Sequence, residues 1–147
     1  MKSVQHLLDQ KGYDVWTIDP NATVRAAIEV MAKKDIGALV VMDDDQLVGL
    51  IAERHYARRV VLKGKTSAAT LVRDVMDTSV VTVRPFESVE TCMSLMSETR
   101  VRHLPVLDDG RVVGMISIGD LVQSIIKDQK FAIDQLEHYI QGNGAAL

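Results

Sequence analysis

Ser117 and Asp120 stand three residues apart where an apolar run gives way to helical spacing in "GMISIGDL" (114–121). A helix starting near Ser117 leaves its first backbone N–H groups unpaired and carries partial positive charge, so a phosphate fits against it. The serine hydroxyl reaches the same oxygens. One turn along the same face, the Asp120 carboxylate can accept two hydrogen bonds at once, which suits a vicinal diol such as that of ribose. Gly114 leaves room for a ligand beside the backbone. A nucleotide satisfies every part of this arrangement, and so does a plain capping box, with Ser117 as N-cap and Asp120 reaching back.

The stretch "GLIAERHY" (49–56), 65 residues upstream, is a near twin with Ala52 in place of Ser117 and His55 in place of Asp120. It offers no capping side chain, yet the helical pattern persists through Tyr56 and Val60, so capping reads as dispensable. This copy cannot grip a diol in the same way. It is basic instead: Arg54 and Arg58 lie one turn apart, and a twofold relation between the copies would bring Arg102 and His103 toward them. Arginine forks suit phosphate oxygens. Val80 and Val81 complete this second candidate set. The arginines read equally as a solvated helix face.

These stretches belong to a duplication. A shift of 65 places Pro20 on Pro85, Val24 on Val89, Met31 on Met96, Leu39 on Leu104 and Gly49 on Gly114 without a gap. Farther back, "SVQHLL" (3–8) resembles "LVRDVM" (71–76) once about three residues are allowed near "KGYD". In each copy a short β-type run stops at a proline ("WTIDP", "VTVRP"). A helical stripe follows (Val24, Ala27, Ile28, Met31; then Val89, Cys92, Met93, Met96), then two apolar runs split by a polar turn, with Asp109-Gly110 a hairpin signal. A second helix closes each copy, Glu53 to Leu62 and Gly119 to about Gln129. The class is α/β (α+β), two β-α-β-β-α units. One such unit covers only one face of its sheet, so two units packed with pseudo-twofold symmetry bury both. The expected bounds are 3–62 for the first unit, 63–70 for a short polar linker and 71–129 for the second. A C-terminal helix over 130–142 follows, with Ile133, Leu136 and Ile140 on one face, and then a fraying tail, 143–147. A helix outside the repeat suits covering a neighbour or a dimer interface.

Composition excludes several classes. With 47% apolar and 25% charged residues the chain is ordinarily globular, and a net charge of −3 gives no electrostatic footprint for nucleic acid. The lone cysteine, Cys92, cannot form an internal disulfide, which fits a cytoplasmic setting. No secretion signal or membrane span is expected. "GKTS" (64–67) lacks the glycine a P-loop needs five residues earlier, where Arg59 stands. "DDDQ" (43–46) matches "DDGR" in the other copy and reads as a turn, and four histidines show no metal-ligand spacing. No nucleophile, base or acid pair is evident, so no enzyme is expected.

The duplicated unit, with "RHLPVLDDGRVVGMISIGDLV" (102–122) and "GLIAERHYARRVVLKGKTS" (49–67), resembles the paired CBS domains, or Bateman module, over roughly residues 3–127. "QLEHYI" in the tail is similar to stand-alone two-CBS proteins. The resemblance implies adenosyl ligands (AMP, ADP or ATP, with NAD(H) or S-adenosylmethionine as further options) in clefts between the repeats, and no metal. It implies Asp120 on the ribose hydroxyls and Ser117 near the phosphate, with Gly114 and Ile116 on the strand before them. The adenine would meet Val15, Trp16, Ile36, Gly37 and Ala38. It also implies a homodimer that senses nucleotide and regulates another protein. A ligand-independent scaffold is the alternative. With His55 and Ala52 in the other cleft, the two sites should be unequally occupied.

Overall fold

The computed structural model describes residues 2–146. Copy one holds α1 (Val4–Lys11), β1 (Thr17–Ile18), α2 (Val24–Lys34), β2 (Ala38–Asp43), β3 (Gln46–Ala52) and α3 (Glu53–Tyr56), which widens into a π-helical turn over Ala57–Val61. Copy two holds α4 (Val89–Thr99), β4 (His103–Asp108), β5 (Arg111–Ser117) and α5 (Ile118–Ala146). β1 pairs parallel with β2 and β2 antiparallel with β3. β4 pairs antiparallel with β5. The counterpart of β1 is reduced to one parallel bridge, Val83 with Val106.

Local chemistry explains these elements. Thr23 and Ser88 cap α2 and α4 by accepting from the Ala26 and Thr91 amides, each at 3.1 Å. Val24, Ala27 and Met31, and in the other copy Val89, Cys92 and Met96, are buried along the expected stripes. Met93 faces outward instead, 42% exposed. Both β-hairpins turn through an aspartate with positive φ, Asp44 and Asp109.

The repeats are interlocked. α1 opens copy one but seats Val4, Leu7 and Leu8 in the core of copy two, among Val89, Cys92, Leu104 and Ile116. Reciprocally, Val72 and Val75, at the start of copy two, enter the core of copy one beside Val24, Met31 and Ile51. Backbone bonds hold the exchange: Val4 N–H to Glu87 O (2.8 Å) on one side and Val24 N–H to Thr70 O (2.8 Å) on the other. The two expected units are therefore not self-contained along 3–62 and 71–129. Between the sheets, Ala38, Val40, Leu50 and Ala52 form a third apolar layer with Val80 and Met115.

The C-terminal helix is not separate. No glycine or proline interrupts residues 120–141, so α5 runs unbroken from Ile118. The segment expected to fray, 143–147, is helical as far as Ala146, and Leu147 lies outside the described residues. Among the described residues no helix is long and apolar enough to cross a membrane.

Candidate functional site

The start of α5 carries the capping box in full. The Ser117 amide donates to Asp120 Oδ2 (2.8 Å), and the Asp120 amide to the Ser117 hydroxyl (3.2 Å). A third partner joins from the exchanged helix: Lys11 Nζ lies 2.6 Å from Asp120 Oδ2 and donates to the Met115 carbonyl at 2.7 Å. Both donors use Oδ2. Asp120 Oδ1 meets no protein donor among the described residues.

These groups wall a cleft of about 340 Å³ between the repeats. Ser117, Asp120, Met115 and His103 come from copy two, and Trp16, Ile36, Gly37 and Ala38 from copy one. Lys34 Nζ sits 4.2 Å over the Trp16 ring and fixes it by a cation–π contact. His103 is mostly removed from water, which together with the Arg54 charge pushes its pKa down to about 4. It is a neutral imidazole at pH 7.

Three residues expected here lie elsewhere. Gly114 faces Leu8, not the cleft: a Cβ at that position would come within 2.6 Å of Leu8 Cδ2. Its partner by symmetry, Gly49, makes the same room for Met76, with Sδ at 2.4 Å from such a Cβ. Ile116 is fully buried in the core, and Val15 packs into the layer between the sheets. Sequence reasoning also missed Lys11, Asp14 and Asp35, which line the cleft. The match of "SVQHLL" to "LVRDVM" was a signal for Lys11, but only the exchange of α1 brings it here.

A larger cavity, about 980 Å³, lies on the side of α3, α4 and α5. Arg54, Arg58 and Arg102 line it as expected, His103 borders both spaces, and Arg100 adds a fourth guanidinium. Met93, Ile118 and Val122 form its apolar side. His55, Val80 and Val81 do not line it: the valines pack inward, and His55 is buried at 2% exposure.

His55 does, however, stand in for Asp120. Its Nδ1 accepts from the Ala52 amide at 3.0 Å, so copy one keeps half the capping box that its sequence lacks on paper. Burial lowers the His55 pKa, with Asp77 opposing, and the acceptor role requires the neutral ring. Its Nε2 lies 3.2 Å from Asp77 Oδ2 without the alignment of a hydrogen bond. Arg59 clamps that carboxylate at 2.8 Å and also donates to Val75 O at 2.7 Å. The residue types are thus exchanged between copies: carboxylate on the helix and lysine on the crossing segment in one, neutral imidazole on the helix and aspartate on the crossing segment in the other. Among the described residues no group of three or more His, Cys, Asp or Glu side chains could hold a metal ion.

A family model described as the CBS domain matches residues 11–62 and 72–127. CBS domain-containing protein CBSX3, mitochondrial, of Arabidopsis thaliana is 38% identical over 82% of this chain, which spans 61% of that protein. A Burkholderia ambifaria MC40-6 structure, described as a candidate signal-transduction protein with CBS domains, is 48% identical with a TM-score of 0.85, covering 87% of this chain and 96% of that one. The CBS domain pair of protein MJ0100, in complex with 5-methylthioadenosine and S-adenosyl-L-methionine, is 25% identical with a TM-score of 0.76, covering 84% of this chain and 99% of that one.

Proposed function

The chain belongs to the CBS-domain family, and from that premise we propose that its smaller cleft binds an adenine nucleotide and that occupancy regulates a partner protein. The carrying observation is the Asp120 carboxylate, pinned through Oδ2 by the Ser117 amide and Lys11 with Oδ1 free to meet a ribose diol. The Ser117 hydroxyl and the start of α5 would take the phosphate, with the Lys11 charge beside them. Trp16, Ile36 and Ala38 would hold the adenine. A volume of about 340 Å³ sits at the lower end of small-molecule pockets and suits one nucleoside with a short phosphate. The adenosyl compounds in the MJ0100 domain pair support this chemistry.

A ligand there touches both repeats and the exchanged α1, so it would favour one mutual arrangement over others by population shift. The protein acts on this reading as a binding module in the cytoplasm, a homodimer whose output is shape. With His55 in place of the ribose carboxylate, the arginine-lined cavity would take phosphate-rich ligands and fill unequally.

A thermal-shift screen of nucleotide-stripped protein against AMP, ADP, ATP, NAD, NADH and S-adenosylmethionine tests this. A ligand at 100 times its Kd adds about 2.7 kcal/mol, or about 5 to 10 °C for a chain of this size. No shift with any of them would leave the ligand-independent scaffold as the reading.

A further inference from the structure

Every residue from Ile126 to Gln141 is exposed, so the second half of α5 projects beyond the body of the protein. The last side-chain tie to the body is Asp128 with Lys2, at 3.0 Å. An isolated helix of this length is marginal in water, and a stable one has an apolar face that something covers. That face is present. Ile126, Ile133 and Ile140 recur every seven residues with Leu136 between the last two, and all four are between 55% and 59% exposed. The spacing is the heptad of a coiled-coil seam, with isoleucine at a and Gln129 and Leu136 at d.

We propose that the occupant is a second copy of this chain, with the two α5 helices running antiparallel about a twofold axis between residues 134 and 135. Three independent matches favour that register. Ile133 then packs against the partner's Leu136, and the reverse contact repeats across the axis. Lys130, flanking the seam, falls opposite the partner's Glu137, and Glu137 opposite the partner's Lys130. On the other flank the large Tyr139 faces the partner's small Ala132, twice. A parallel pairing sets Lys130 against Ile125 and Glu137 against Ala132 and leaves both charges unmatched. The seam also continues the apolar side of the larger cavity through Val122, 45% exposed. The end of the partner's helix would therefore run along Ile126 toward that cavity's mouth. None of this depends on nucleotide binding.

Sedimentation equilibrium on the full chain tests it. The wild type sediments as a dimer, and Ile133→Asp, with unchanged far-UV circular dichroism, sediments as a monomer at the same concentration. Lys130→Glu and Glu137→Lys each weaken the dimer about tenfold, since two attractive pairs become repulsive, and the double variant regains wild-type affinity. A monomeric wild type, or a dimer indifferent to Ile133→Asp, overturns the seam. Single charge reversals without effect, or a double variant that stays weak, overturn the antiparallel register.

Discussion

Replacing Asp120 by alanine separates the two roles its position allows. Without ligand, the change removes the acceptor for the Ser117 amide and the partner of Lys11. A lost cap costs about 1 kcal/mol. The ion pair, with side chains 35% and 21% exposed, adds at most about 1 kcal/mol after solvent screening. Ligand-free Asp120→Ala should therefore melt about 3 to 7 °C below wild type. With ligand, a second loss appears: two charge-assisted hydrogen bonds to the ribose hydroxyls, on the order of 2 to 4 kcal/mol, or about 30-fold to 1000-fold in affinity. Isothermal titration of stripped protein with AMP reads that loss apart from the melting temperature. Asp120→Asn, which keeps an acceptor for the Ser117 amide, should restore most of the stability and only part of the affinity. If Asp120→Ala melts lower yet binds AMP as tightly as wild type, the carboxylate is a cap alone and the adenosyl assignment of this cleft fails.

Gly114→Ala should lower stability by about 1 to 3 kcal/mol, because its Cβ meets the buried Leu8, while leaving ligand affinity per folded molecule unchanged. Gly49→Ala should cost at least as much, since the Asp77 carbonyl stands 2.9 Å from its Cβ and backbone yields less readily than a side chain; urea unfolding compares the two. Stability should also fall as pH drops from about 6.5 to 4. In that window the unfolded chain protonates His103 while the folded chain, with its pKa pushed down to about 4, does not. The loss, about 2 kcal/mol between pH 7 and 4.5, should shrink in His103→Gln, and an unchanged slope in that variant would remove the imidazole from the account.

The duplication was legible because Pro20 to Gly49 fall on Pro85 to Gly114 without a gap, and it carried the stripes, caps and hairpins of both copies. What it could not show was partnership. Residues 3–8 and 71–76 are equivalent in sequence, but a symmetric pair offers each segment two identical seats, in its own copy or the other. Apolar spacing is the same for both. Lys11 was overlooked for that reason, since its contact with Asp120 exists only in the exchanged arrangement. Gly114 was misread for a related one: a glycine beside a candidate site makes room equally for a ligand or for Leu8. His55 reads in sequence as a lost cap because histidine is not a usual capping side chain, yet its neutral imidazole nitrogen accepts the same bond. Ser117 and Asp120 were legible from a strand end and a helix start, whereas Trp16 and Ala38 followed only from the family resemblance; the structure brings all four to one cleft.

The exchanged segments also set an order of events at the ribosome. α1 leaves the exit tunnel first, but its seat is built from Val83 to Leu121, so it must wait, unburied, for nearly the whole chain to be made. Copy one, by contrast, has its full core once Val75 has emerged. The first repeat can thus close on itself early, and the second closes only by retrieving a helix synthesised about a hundred residues before its own strands.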